Sequence, residues 1–274
     1  MALGARPRGG GAEVVPRPGR RGRLPFEIIA GRNSVRAALE ARRREVATVV
    51  LDRSAGGVPV DEIRRLAGEA GARLNVASSR DLTKLVGGDF HQGVAAYVAR
   101  IPTPTWEELA AAARAGRPLV VLDHVEDPRN LGAVVRAAAA LGAGGVFFPP
   151  RRQVGITPAV AKVAEGGLEY VPTLPVSNVG GFLGQVKDAG IWRYGLEADG
   201  EAQMGELDFD EGAAFVFGGE GTGLSLAARR ECDAVVAITL ASDVSSLNVA
   251  AAAAVTLYEF RRQHPLAEAV DRRG

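Results

Sequence analysis

The sequence predicts an α/β protein, a small α/β sandwich followed by a larger domain on a doubly wound parallel sheet. Three observations carry this. Short β-branched and aliphatic runs alternate with stretches whose apolar residues recur at helical spacing. Two prolines, Pro102 and Pro104, interrupt the alternation near the middle. Beyond them, polar or glycine-rich segments follow the predicted strands, where open parallel sheets bind their ligands.

The 274 residues are 47% hydrophobic and 24% charged, enough for a substantial core and two domains. Residues 1–25 hold Arg6, Arg8, Arg17, Arg20, Arg21 and Arg23 against one acid, Glu13, among many Gly and Pro. Such a segment builds no core and is expected to be a disordered basic tail, either inert or a loose phosphate-contacting arm. It contains no serine and no apolar helical stripe, which argues against a transit peptide. Without a long apolar run or an N-terminal apolar block, the expected location is the cytoplasm, away from membrane. The single Cys232 excludes an intrachain disulfide framework, and His91, His124 and His264 lack metal-ligand spacing, so no metal is expected. A net charge of +1 is no signature of nucleic-acid binding, and any basic surface must come from uneven distribution.

Residues 28–31 read as a short strand and turn, 34–43 as a helix with Val35, Ala38 and Leu39 on one face, and 46–51 as a β-branched strand. A helix over 60–70 and strands over 72–76 and 94–98 complete the first domain, expected over 26–100. A linker with a short helix is expected over 101–117, the second domain over 118–264 and a tail over 265–274. In the second domain 119–123 reads as a buried strand, Asn130 as the N-cap of a helix over 131–141, and 145–148 as the next strand. Further strands are expected over 192–196, 214–218 and 234–238, and an Ala-rich helix from about Leu247 to Arg262.

Three segments carry the candidate chemistry. In Asp127-Pro128-Arg129-Asn130-Leu131-Gly132, Asn130 offers an amide near the positive end of a helix, and Arg136 lies six residues further on. A guanidinium there suits an RNA phosphate or a ribose hydroxyl, although a capped helix with a solvated arginine looks the same. Gly218-Gly219-Glu220-Gly221-Thr222-Gly223-Leu224 follows a strand, and its glycines permit close backbone approach to a ligand. It is neither a Walker A loop nor a dinucleotide fingerprint. Ser245-Ser246-Leu247-Asn248 precedes the Ala-rich helix, where a serine cap would be ordinary.

Taken together and in this order, Asn130 with Arg136, the Gly-rich turn with Glu220, and Ser246 with Asn248 resemble the three motifs of the SpoU (TrmH) family of RNA ribose 2'-O-methyltransferases, in the SPOUT superfamily. Ala30-Gly31-Arg32-Asn33-Ser34-Val35 and His91-Gln92-Gly93-Val94-Ala95-Ala96 resemble the family's accessory RNA-binding domain. The resemblance implies a trefoil-knotted C-terminal domain, against the general rarity of threaded chains. It further implies S-adenosylmethionine as cofactor, a homodimer through the C-terminal domain, and methylation of a guanosine ribose in the peptidyl-transferase region of large-subunit rRNA. By the same resemblance Arg136, Asn130, Glu220, Ser246 and Asn248 are catalytic, and Gly218, Glu220, Ile238, Leu240 and Leu247 line the cofactor pocket. Arg32, Gln92, Arg129 and Arg136 meet the RNA. A neutral arginine base near pH 7 would cost about 7 to 9 kcal/mol, so Arg136 is expected to position the substrate and stabilise charge, while a phosphate or water takes the proton.

The chain departs from the family pattern at Thr239 for proline, Ser242 and His124 for glycine, Ala250 for serine, and Glu165 for a small residue. Three other readings stay open: tRNA ribose methylation, an RNA-binding ribosome-assembly protein with impaired cofactor binding, and a generic nucleotide-binding Rossmann enzyme. The N-terminal domain speaks against the first, and the missing fingerprint against the last.

Overall fold

A computed structural model describes residues 26–149, 156–219, 221–241 and 244–266. The first unit runs β1 (Phe26–Ala30), α1 (Arg32–Ala41), β2 (Val46–Asp52), α2 (Val58–Glu69), β3 (Arg73–Ala77), α3 (Ser79–Val86) and β4 (Val94–Ala99). Its sheet has the order β1-β4-β2-β3, with β4 antiparallel to both β1 and β2 and β2 parallel to β3. Val35, Leu39, Ile63 and Leu66 from α1 and α2 pack on one face with Val49 and Leu51 of β2. Leu82 of α3 packs on the other face with Val50 and Ala95. Alternate β2 residues thus feed opposite layers, as the strand pleat requires. The sequence reading did not include α3, which is a short helix capped by Ser78 accepting from the Asp81 amide at 3.2 Å.

The second unit begins with α4 (Trp106–Arg114), then β5 (Leu119–Asp123), α5 (Pro128–Ala140), β6 (Gly145–Phe148), α6 (Pro158–Ala164), β7 (Thr173–Pro175), α7 (Val179–Asp188), β8 (Trp192–Leu196), β9 (Ala202–Gln203), β10 (Ala213–Gly218), α8 (Leu226–Glu231), β11 (Ala234–Ala237) and α9 (Val249–Gln263). Its seven strands have the order β7-β6-β5-β10-β8-β11-β9, and every neighbouring pair is parallel. The central strands are buried on both faces, which explains apolar runs such as Leu119-Val120-Val121-Leu122 where a half-exposed strand would alternate. Val120 and Leu122 pack with α5, α6 and α9, through residues such as Leu131, Val160 and Phe260. Leu119 and Val121 face α4 and α7, through Leu109, Phe182 and Leu183. Helices on both faces make this the doubly wound α/β sheet that the sequence pattern predicts.

Two caps differ from expectation. The N-cap of α5 is Asp127, whose carboxylate accepts from the Arg129 amide at 2.8 Å, and Asn130 lies in the first turn. Pro128 is the reason, since its fixed φ and missing N–H suit the first position of a helix and put the cap on Asp127, three residues before Asn130. The N-cap of α9 is Asn248 and not a serine, accepting from the Ala250 amide at 2.9 Å.

The two units meet where α1 packs on the segment after α6. Arg44 and Glu169, with side chains 5% and 4% exposed, form a buried ion pair across this junction, and Arg44 also donates to the Ala99 carbonyl at 3.2 Å. The Tyr170 hydroxyl donates to Glu40 at 2.8 Å.

Candidate active site

The C-terminal ends of β8, β10 and β11 open onto a cavity of about 640 Å³, within the usual size of a small-molecule site. The turn after β10 forms one wall. A β-carbon on Gly218 would lie 2.1 Å from the Gly223 carbonyl carbon, and one on Gly219 would lie 2.1 Å from the His124 carbonyl oxygen. Gly221 and Gly223 adopt φ of 84° and 62°. Backbone thus packs directly on backbone here, a geometry open only to glycine. Ile238 and Leu240, beyond β11, line a second wall, and Ser246, Leu247 and Asn248 a third. The candidate cofactor residues Gly218, Ile238, Leu240 and Leu247 therefore share one cavity with Ser246 and Asn248. Glu220, Ser242 and residues 1–25 lie outside the described residues.

Hydrogen bonds brace the turn from behind. Asp123, buried at the end of β5, accepts from the Ser225 amide at 2.7 Å, and its Oδ1 lies 2.8 Å from Nδ1 of His124. His124 has φ 62°, a left-handed backbone, and turns its ring onto Asp123. Glu197, just past β8, accepts from the Leu224 amide at 3.0 Å and pairs with Arg229. The sequence reading missed Glu197 and Leu196 in this wall, although both sit at a strand C-terminus where the ligand rule would have placed them. Thr239 donates to Gln203 of β9 at 2.8 Å, tying the loop after β11 to the edge of the sheet.

Asn130 of the first motif is joined to the third by an amide pair. Nδ2 of Asn248 donates to Oδ1 of Asn130 at 3.0 Å, linking the starts of α9 and α5. Arg129 folds back onto Asp127 at 2.9 Å, and these hydrogen bonds hold the Asp127 carboxyl below the ordinary carboxylate range. Arg136 is not among the residues that line this first cavity. It stands further along α5, with Nη1 3.0 Å from Oε1 of Glu165. Glu165 in turn accepts from Nδ2 of Asn33, on α1, at 3.2 Å. Asn33, Gln92, Lys162 and Glu165 border a second cavity of about 800 Å³ between the two units. Arg32 is locked nearby, its amide donating to Oε1 of Gln92 at 3.0 Å and its Nε to the Gln92 carbonyl at 3.1 Å.

Other chemistries find little support. Burial pushes the Cys232 thiol up to about 12, far from a reactive thiolate. Among the described residues no group of three or more His, Cys, Asp or Glu side chains is placed to hold a metal ion, and no helix is long and apolar enough to cross a membrane.

Comparison with known proteins agrees with this architecture. The family model described as SpoU rRNA Methylase family matches residues 117–258, and the one described as RNA 2'-O ribose methyltransferase substrate binding matches residues 28–104. The 23S rRNA (guanosine-2'-O-)-methyltransferase RlmB of Xylella fastidiosa is 36% identical over 243 residues, covering 87% of this chain and 97% of the relative. RlmB of Ralstonia nicotianae is 34% identical over 244 residues, covering 89% and 98%. The crystal structure of the SpoU methyltransferase AviRb from Streptomyces viridochromogenes, in complex with AdoMet, superposes with a TM-score of 0.71 at 26% identity, covering 87% of this chain and 90% of that one. With both family models matched in order along one chain, and with relatives aligned over nearly their full length, this protein belongs to the SpoU rRNA methylase family.

Proposed function

We propose that this protein transfers a methyl group from S-adenosylmethionine to the 2'-hydroxyl of a guanosine ribose in large-subunit rRNA. The observation that carries the reading is the convergence of the second and third motifs on one cavity, with Asn248 hydrogen-bonded to Asn130 of the first. The cavity fits the cofactor. Its apolar side chains Leu196, Ile238 and Leu240 suit an adenine ring, and the glycine turn brings backbone polar groups to the wall without intervening side chains. Gly218, Ile238, Leu240 and Leu247 would hold the cofactor, together with Glu220. When bound, S-adenosylmethionine supplies an electrophilic methyl on a sulfonium centre.

The chain's part is alignment and charge. The chain's residues would hold the ribose 2'-oxygen facing the methyl that S-adenosylmethionine would supply, and the oxygen would give up its proton as it gains that methyl and the cofactor leaves as the thioether. Arg136, with Nη1 3.0 Å from the Glu165 carboxylate, positions the ribose or its phosphate and stabilises the charge that develops on oxygen. Phosphate or water takes the proton. Asn130, Ser246 and Asn248 fix the loop junction between cofactor and substrate. Arg32, Gln92 and Arg129 would contact the RNA, with the cavity between the two units as its approach. We also take residues 26–100 as the substrate domain, 118–264 as the knotted methyltransferase domain, the pair of them as half of a cytoplasmic homodimer, and 101–117 as the connection.

The test is methylation with label on the cofactor methyl, offering large-subunit rRNA fragments and bulk tRNA separately. Alkali-resistant label in rRNA alone is expected, with Arg136→Ala slowing turnover on the order of 100-fold while it still folds and binds RNA. Label in tRNA alone would redirect the substrate assignment, and an Arg136→Ala variant of full activity would remove Arg136 from the mechanism.

A further inference from the structure

Glu165 ends α6 in the left-handed region, with φ 45°. That backbone is unfavourable for any side chain and natural for glycine, so a glutamate there calls for a compensating role. Its carboxylate forms a bridge. Oε1 lies 3.0 Å from Nη1 of Arg136 on α5, and Oε2 accepts from Nδ2 of Asn33 on α1 at 3.2 Å. The neighbouring Gly166, with φ 91°, is pressed onto the same helix. A β-carbon there would lie 2.6 Å from Cβ of Ala37 and 2.9 Å from the Asn33 carbonyl oxygen. Packing of α1 therefore sets where the carboxylate stands.

The bridge adds little to stability. The Arg136 and Glu165 side chains are 59% and 41% exposed, and a pair that open to water contributes about 0 to 1 kcal/mol. An inexpensive contact on an unfavourable backbone, joining the candidate catalytic guanidinium to the substrate domain, has its use in geometry. We propose that Glu165 is a positioning residue for Arg136 and that Asn33 steers it, so that docking of the first unit aims the guanidinium for methyl transfer. This rests on the role given to Arg136 above.

The test uses the full chain and an rRNA fragment that it methylates. Glu165→Gly removes the carboxylate and suits the left-handed backbone, so its thermal midpoint should not fall. We expect kcat to drop on the order of 10-fold. Affinity for S-adenosylmethionine should stay unchanged, and affinity for RNA unchanged or tighter, because a negative charge has gone. Asn33→Ala should lower kcat in the same direction, and the double variant should be no slower than Glu165→Gly alone, as expected for residues acting through one chain of contacts. Glu165→Gln, which keeps an acceptor for Arg136, should recover part of the rate. Full kcat in Glu165→Gly overturns the proposal, and so does a loss confined to RNA affinity. If the unmodified protein methylates nothing, or Arg136→Ala is fully active, the functional reading falls and takes this inference with it. An active protein with a slow Arg136→Ala and a normal Glu165→Gly refutes the bridge alone.

Discussion

At Gly219 the turn after β10 crosses over the carbonyl of His124 so closely that no β-carbon fits. The opposing atom is backbone at the end of a central strand, and it cannot swing aside as a flexible side chain would. Gly219→Ala is therefore expected to push the turn into the cavity and weaken S-adenosylmethionine binding by at least about 10-fold in calorimetry, with the thermal transition still cooperative. Unchanged affinity would show that the turn has room to shift. His124 and Glu165 make a related point about single residues. Both hold a left-handed backbone, and each directs its side chain to a charged partner, Asp123 in one case and Arg136 in the other.

At the scale of elements, the strands with continuous apolar runs were legible in the sequence, because burial on both faces leaves that signature. Leu119–Asp123 and Gly145–Phe148 have the expected bounds. The edge strands Thr173–Pro175 and Ala202–Gln203 were not, since two or three residues give no periodicity to read. Asn130 drew attention as a cap because its amide suits that role, but Pro128 two residues earlier was the stronger signal. For the candidate site, the residue types and their order were visible. Their partnerships were not: Asn130 with Asn248 and Arg136 with Glu165 and Asn33 depend on how separate elements dock. The same docking supports a stability prediction. Glu169→Ala would leave Arg44 buried beside the weaker partner Glu27, and we expect a loss of roughly 3 kcal/mol in urea unfolding. A loss within experimental error would mean that Glu27 and the Ala99 carbonyl suffice for Arg44.

At the scale of the whole molecule, α9 presents two faces. Ala253, Leu257 and Phe260 are buried in the core, whereas Val255 and Tyr258 are 42% and 65% exposed. An apolar stripe of this kind supports the proposed pairing of two chains. Tyr258→Asp is expected to convert a dimer to a monomer in sedimentation velocity while each chain stays folded, and a variant that stays dimeric would place the interface elsewhere. The strand order carries a further consequence, for how the chain is made. Val121 of β5 pairs with Val216 of β10, roughly 95 residues later. At a synthesis rate of about 5–20 residues per second, β5 leaves the ribosome some 5 to 20 seconds before the strand that covers its inner edge. During that interval Leu119-Val120-Val121-Leu122 is a bare, sticky edge in a nascent chain, so its yield should depend on chaperones that shield such segments as they emerge.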